Sequence, residues 1–494
     1  MEPLGTLGTM PLVDHFGRPP DRSTYRADHT CRPHRAGRRR ERLVKGSPMS
    51  FELAAIPRAP GGIPFLGHVL KLKSDPLAFL RSLRESGELV RVDIGSMPIY
   101  VATSARLIND VMVTQGRFFE KGRLFDRVRP LVGNGLATAG GEVHRRHRRL
   151  MQPMFHKERL AGYAEVMSER ARALSDSWKP GQSIDVHQAM SEFAIETLAA
   201  TLFSADIGRP AVEAVRRDLP IILKNMLVRA ASPKILDKLP IWRSFDNATA
   251  SMRQVIDEVV ATTREAGQSD QADLLSVLLA ARDADTGEPL TDEEVRDELV
   301  TILFAGTETT ASTLAWAIHH LAANPEVEEK LVAEIDEVVG NRPVTFDDVP
   351  RLVGIQRVLD EVIRLHGVVL LMRRTIEPVE LGGFRIPAGV EVAFSLYAMH
   401  RDPTLYPEPD TFVPDRWLPD RRGSIPREAV MPFGAGNRKC IGDAFSWTEA
   451  TIALATILGR WKLRPEEGAK APREAAASMA HPDRVPMVVL PRDA

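Results

Sequence analysis

The sequence predicts a mainly α fold with small β-sheets: one large helical domain with a long central helix and a minor β-rich region. Three observations carry that prediction. Between about residues 105 and 370 apolar side chains recur at three- and four-residue spacing. One helical run is long enough to cross a whole domain. Strand-like runs are short and confined to three places, around 89–102, 374–396 and 484–490.

Residues 1–50 hold nine Arg and one Lys against five acids, while the whole chain of 494 residues carries a net charge of −1. The head is therefore basic and the body acidic. With Arg38-Arg39-Arg40, scattered Pro and Gly and no periodicity, 1–50 reads as a disordered basic arm. It has no apolar core of a secretory signal, and Met49 offers an alternative start just before the patterned region. The overall balance argues against a nucleic-acid binder. No stretch approaches the roughly 18 apolar residues of a membrane span. Two cysteines, Cys31 and Cys440, exclude a disulfide framework and a Cys-rich metal cluster, and they fit the reducing cytoplasm.

The prolines and glycines of 57–67 (PRAPGGIPFLG) make an extended segment. The runs 89–94 and 99–102, separated by a Gly-containing turn, make a hairpin. Helices are expected over 157–177, 188–203, 248–265 and 272–282. Thr291 and Glu294 then form a capping box, and the pattern runs unbroken to Asn324 before Pro325. At 1.5 Å per residue this helix spans roughly 48 Å. Its centre, Ala305-Gly306-Thr307-Glu308-Thr309-Thr310, combines a glycine costing roughly 1 kcal/mol relative to Ala, β-branched residues and a carboxylate in an apolar helix. Small residues there admit a flat group to the backbone, and an acid beside an alcohol offers a path for protons. Strand signals return at 374–396 on either side of Gly-Gly-Phe-Arg-Ile-Pro-Ala-Gly, and a helix follows from Asp443 to Leu458.

Just before that last helix stands Phe433-Gly434-Ala435-Gly436-Asn437-Arg438-Lys439-Cys440-Ile441-Gly442. A dinucleotide loop is excluded, because the third glycine and the strand before it are missing. A sulfur at a helix N-terminus is favoured as a thiolate, and a thiolate is a metal ligand. One thiolate without a chelating partner suits a haem, whose porphyrin provides four ligands.

Here the sequence resembles the cytochrome P450 family, whose F-x-x-G-x-R-x-C-x-G pattern is matched at Phe433, Gly436, Arg438, Cys440 and Gly442. The resemblance spans about 55–490 and implies one domain over 51–494. It makes Cys440 the axial ligand of haem b and aligns Thr309 and Glu308 with the family's alcohol and acid. Ala305 and Gly306 would lie against the haem. Glu361 and Arg364 match its E-x-x-R pair and, with Arg416, its structural triad. His144 and Arg148, in the run His-Arg-Arg-His-Arg-Arg, match the helix that binds the haem propionates, while Arg145, Arg146 and Arg149 read as a solvated face. Arg373 or Arg374 would reach a propionate as well.

The implied activity is O2-dependent hydroxylation of a lipophilic small molecule, in the manner of actinobacterial enzymes that oxidise terpenes. The alternatives are a haem-thiolate sensor without oxygen activation and a peroxide-using enzyme; the Glu308–Thr309 pair argues against both. The expected pocket comprises the 117–137 loop, parts of 200–240, the long helix from Leu299 through Phe304 to Thr309, the segment Val368, Val369 and Leu371, and the turn at Met479. With no flavin or nicotinamide module in the chain, the resemblance implies electrons from NAD(P)H through a ferredoxin reductase and a ferredoxin, which a monomer would receive at a basic face near Arg438, Lys439 and 144–149.

Overall fold

The computed structural model describes residues 53–203, 205–231, 239–265 and 273–492. The basic arm and Cys31 lie outside the described residues. Two short helices, α1 (Val69–Ser74) and α2 (Pro76–Ser82), precede the hairpin β1 (Leu89–Ile94) and β2 (Met97–Ala102), which pairs Leu89 with Ala102. The extended segment before them is pinned to β1 by bridges at Arg58 and Gly67. There follow α3 (Ala105–Asn109), β3 (Phe119–Lys121), α4 (Arg123–Val132) and α5 (Gly141–Met151). The helical body comprises α6 (Lys157–Ser177), a short β4 (Ser183–Asp185), α7 (Val186–Leu202), α8 (Ala205–Ala231), α9 (Arg243–Glu265), α10 (Leu274–Ala280), α11 (Asp292–Ala323), α12 (Pro325–Val338) and α13 (Val353–His366).

The expected helices are present within a few residues of the sequence boundaries. The long one, α11, has both halves of the Thr291–Glu294 capping box and ends at Asn324. The spacing did not suggest α8, which runs through Pro210 and Pro220. There the buried Val215, Leu219 and Ile222 outweigh local propensity through packing.

The second half returns as β5 (Leu371–Thr375), β6 (Val379–Leu381), β7 (Phe384–Ile386), β8 (Glu391–Phe394) and the short α14 (Leu396–Met399) and α15 (Pro419–Arg422). The Gly-Gly-Phe-Arg-Ile stretch, expected to separate two strands, itself forms half of the β6–β7 hairpin. The chain closes with α16 (Asp443–Leu458), β9 (Trp461–Pro465), the hairpin β10 (Glu474–Ala476) and β11 (Ala480–Pro482), and β12 (Pro486–Pro491).

Two sheets organise these strands. One has the order β1-β2-β8-β5-β3, antiparallel except at β2–β8, and the other runs β4-β12-β9. The largest apolar core joins α6, α7, α9, α11, α13 and α16, with α11 packed along α7 and α13 and α16 at its other side. A second core lies under the five-stranded sheet, and a third joins that sheet to α2. Among the described residues no helix is long and apolar enough to cross a membrane.

Candidate functional site

The loop before α16 is shaped by its glycines. Gly436 has φ +69°, and a Cβ there would lie 2.1 Å from the Met112 carbonyl, so no other residue fits. Cys440 N–H donates to the Phe433 carbonyl at 3.0 Å, closing the loop, and the Phe433 ring meets Trp447 edge-on at 5.4 Å. Cys440 is a free thiol with open surface. Even so, burial pushes that thiol up to about 11, against the Gly442 amide that bonds it and the neighbouring Arg148 and Lys439. A group with free surface that is nonetheless desolvated faces an internal space rather than bulk water. Gly442 is the N-cap of α16, so the sulfur sits two residues ahead of it, and burial outweighs the terminus. Among the described residues no three His, Cys, Asp or Glu side chains gather to hold a metal.

A cluster of cations converges on the same part of the molecule from four elements. Lys121 ends β3, Arg148 lies on α5, Arg373 on β5 and Arg438 in the cysteine loop. Burial and then Arg373 and Arg438 drive Lys121 well below the usual lysine range. Burial holds Arg373 down to about 10, with Arg438 adding repulsion, and burial likewise holds Arg438 to about 10. Burial also lowers Arg148. Their hydrogen bonds go to carbonyls: Arg148 to Lys439 at 2.7 Å, Arg373 to Met372 at 2.9 Å and Arg438 to Ala139 at 2.9 Å. Among the described residues none of the four has a carboxylate within ion-pair distance. Glu120 is the nearest acid felt by Arg438, and its own ion pair is with Arg374. His144, expected as a basic partner, is instead held neutral: burial first, then Arg438, Lys121, Arg148 and Arg373, bring it to about 3. Its buried ring offers an N–H rather than a charge.

Buried like charges without an anion are costly, and they demand an anionic partner. The two propionates of a porphyrin meet that demand, so the residues present fit a haem. Strand pairing also separates the adjacent arginines. Arg374 is neutralised by Glu391 at 2.7 Å and Asp126 at 2.8 Å, leaving Arg373 in the cation cluster. Lys121 was missed by the sequence reading, since nothing in Phe-Phe-Glu-Lys-Gly distinguishes it from a surface lysine.

On α11 the residues expected to face a flat group divide. Ala305 is exposed in the middle of a buried helix. Thr309, one turn on, donates its hydroxyl to the Ala305 carbonyl at 2.7 Å. Gly306 lies against α7, where a Cβ would come within 2.9 Å of the Leu198 side chain. Burial raises the Glu308 carboxyl, and the neighbouring Ser478 and His481 oppose that rise only in part. A further acid, Glu449 on α16, is pushed up to about 8 by burial, and its buried Oε1 has no hydrogen-bond partner. The sign that singles out Glu308, an acid inside an apolar helix, could have found it too.

Of the expected lining residues, Phe304, Val368 and Leu371 keep free surface. Leu299 is 0% exposed and packs in the main core. Val369 points into the third core by strand alternation, while Met479 is buried where it bridges Val368. Arg145 and Arg149, expected on a solvated face, are exposed and Arg146 is half-buried, and each meets an acid: Glu142, Asp283 at 3.0 Å and Glu294 at 2.8 Å, respectively.

Glu361 and Arg364 form a two-point ion pair at 2.8 and 2.9 Å. Glu361 also accepts from Arg416 at 3.4 Å, Trp417 Nε1 at 3.0 Å and Val413 N–H at 2.9 Å. Arg364 reaches the carbonyls of His400, Pro409 and Thr411. The buried pair thus organises the coil that leads to the cysteine loop.

Comparison with known proteins agrees with this architecture. A crystal structure of the cytochrome P450DA heme domain superposes with a TM-score of 0.79 at 29% identity, covering 88% of this chain and 98% of that one. Cyclooctatin synthase of Streptomyces melanosporofaciens is 43% identical over 86% of this chain and 94% of its own length. Pentalenene oxygenase of Streptomyces avermitilis is 37% identical over 86% of this chain and 95% of its own. The family model for cytochrome P450 matches residues 57–487. A family that uses haem iron and O2 accounts for both the free sulfur of Cys440 and a cluster of cations with no ion pair among the described residues: the chain belongs to the cytochrome P450 family and is a monooxygenase.

Proposed function

We propose that this monooxygenase hydroxylates a cyclic terpene or a similarly apolar metabolite, with Cys440 as the axial ligand of haem b. The inward-facing cations opposite a free, desolvated sulfur carry the cofactor assignment. The named activity of pentalenene oxygenase supports the substrate class. When bound, the haem supplies activation of dioxygen and insertion of one oxygen atom into a C–H bond.

The chain's own residues do the rest. Lys121, Arg148, Arg373 and Arg438 neutralise the propionates, with His144 donating a neutral N–H and the Arg nitrogens forming charge-assisted bonds. Phe433, Gly436 and Gly442 hold the sulfur's loop close and free of side-chain bulk. Ala305 leaves room beside the cofactor, while Thr309 positions a proton-bearing hydroxyl one turn away and Glu308 exchanges protons with it. Phe304, Val368, Leu371 and Met479 give an apolar wall that keeps bulk water from the reacting carbon.

Electrons come from NAD(P)H through a ferredoxin reductase and a ferredoxin. The exposed Lys439 and Arg145 support a positive docking face for such an acidic carrier. In this reading the enzyme works as a cytoplasmic monomer.

Titration with pentalenene and a panel of cyclic terpene alcohols tests the substrate class. Micromolar binding should convert the haem from low to high spin for at least one of them. A panel that produces no spin change, while fatty acids or polar metabolites do, overturns the assignment.

A further inference from the structure

The turn between α4 and α5 lies directly on α11. Gly133 has φ +90°, and a Cβ there would come within 2.3 Å of the Asp297 carboxylate. A Cβ on Gly135 would lie 2.2 Å from the Thr301 hydroxyl and 2.5 Å from the Asp297 carbonyl. Only glycine permits so close an approach at both positions. Two consecutive buried acids of α11 hold the turn down. Asp297 Oδ2 accepts the Asn134 N–H at 2.6 Å, and Glu298 Oε2 accepts the Leu136 N–H at 3.0 Å. Amide bonds to a carboxylate are the stronger kind. Arg253 of α9 grips the last turn of α4 at the Pro130 and Leu131 carbonyls, 3.3 and 2.9 Å away.

Closure also carries a cost. Thr301 is buried under Gly135, and among the described residues its hydroxyl has no hydrogen-bond partner. A buried hydroxyl without a partner favours any arrangement in which water reaches it. The carboxylate bonds thus pull the turn down while the hydroxyl beneath opposes them. Val132 and Leu136 are seated in the main core, whereas Asn134 between them is exposed, so Gly133 to Gly135 is the part free to lift.

The position of this short flap gives it a use. Thr301 and the exposed Ala305 lie one turn apart on one face of α11. Farther along, the Ala139 carbonyl accepts from Arg438 of the cation cluster at 2.9 Å. On the other side α4 packs on α8, β5 and α11.

We propose that Gly133–Gly135 is a flap over the substrate pocket, latched by Asp297, hinged where Glu298 holds Leu136 and opposed by the Thr301 hydroxyl, and that its opening sets how fast apolar molecules enter and leave. The proposal rests on the reading of the space beside Ala305 as the substrate pocket.

The test uses the full-length, haem-loaded protein and its Asp297→Ala, Asp297→Asn and Thr301→Val variants, each first shown to give the ferrous carbonyl Soret band of a thiolate-ligated haem. Hydrogen exchange of peptides spanning 131–137 reads the latch. Stopped-flow binding and release of 4-phenylimidazole, followed by the Soret shift, reads the flap. In Asp297→Ala the exchange and both ligand rates should rise about tenfold, as expected for losing a hydrogen bond to a charged acceptor. Asp297→Asn keeps an acceptor oxygen and should fall between the alanine variant and the parent. Thr301→Val removes the orphaned hydroxyl at nearly constant volume and should slow all three by about fivefold. Because a flap scales entry and release alike, the dissociation constant should stay the same throughout.

Unchanged exchange in Asp297→Ala overturns the latch. Faster exchange with unmoved ligand rates refutes the flap and leaves the pocket reading standing. An altered dissociation constant, with entry and release no longer scaling together, means that these residues shape the pocket instead of covering it, and refutes the proposal too. If Thr301→Val exchanges faster than the parent, the hydroxyl does not oppose closure and the balance described here is wrong. A parent protein whose Soret band ignores 4-phenylimidazole sinks the pocket reading, and the flap with it.

Discussion

At the scale of single residues the most informative side chain is Lys121, a half-buried, desolvated cation whose neighbours Arg373 and Arg438 share its sign. An uncompensated charge of this kind destabilises the chain that carries it until an anion arrives. Lys121→Met should therefore act in opposite directions on the two forms of the protein. In the haem-free chain it should raise the thermal midpoint by about 2–4 °C, while making haem transfer to apomyoglobin about tenfold faster. A variant that melts lower without haem would show that Lys121 is satisfied by the protein alone. Arg373 and Arg374 illustrate what decides such roles. They are adjacent in sequence and chemically identical, yet one is enclosed by three acids and the other is not.

At the scale of elements, α5 and α11 are clamped through a buried histidine. His147 contacts Glu298 at 2.6 Å and Glu294 at 3.2 Å, and the other Glu298 oxygen accepts the Leu136 N–H at 3.0 Å. Burial alone would lower His147, but the bonds to Glu298 and then Glu294 overbalance it and hold its pKa above the usual value. A raised native value means the protonated form is stabilised by folding. The contribution is therefore complete below about pH 6.5, the unfolded value, and fades as pH climbs through the elevated native one. The stability difference between the parent and His147→Gln should be widest at pH 6 and shrink toward pH 9, measured by urea unfolding. A difference that stays constant with pH would mean the imidazole is neutral in the clamp. The run His-Arg-Arg-His-Arg-Arg was legible as a helix bearing cofactor ligands. Its division into Arg148 and His144 facing inward and His147, Arg146 and Arg149 binding acids was not, because those acids lie more than 130 residues away.

At the scale of the whole molecule, the Glu361–Arg364–Arg416 knot ties α13 of the helical body to the coil that carries the chain toward Cys440. Breaking a buried ion pair leaves an unpaired charge behind, at a cost of about 3–5 kcal/mol. Arg364→Ala should lower the unfolding free energy by that amount and yield protein purified with little haem. Arg364→Lys should not restore it, because an ammonium cannot reproduce the two-point contact or reach the three carbonyls. Near-parental stability in either variant would refute the role of the knot.

The sequence by itself determined the fold class, the long helix with its cap and the residues of the knot. These follow from spacing along a helix or from a loop pattern short enough to be read locally. Only the tertiary structure decided which face of each element turns inward. It placed Leu299 in the core, left Ala305 exposed, set Gly306 against Leu198 and brought Lys121 into the cation cluster. Those outcomes depend on pairings between distant segments and on how burial weighs charge against hydrogen bonding, and neither quantity is written in local order.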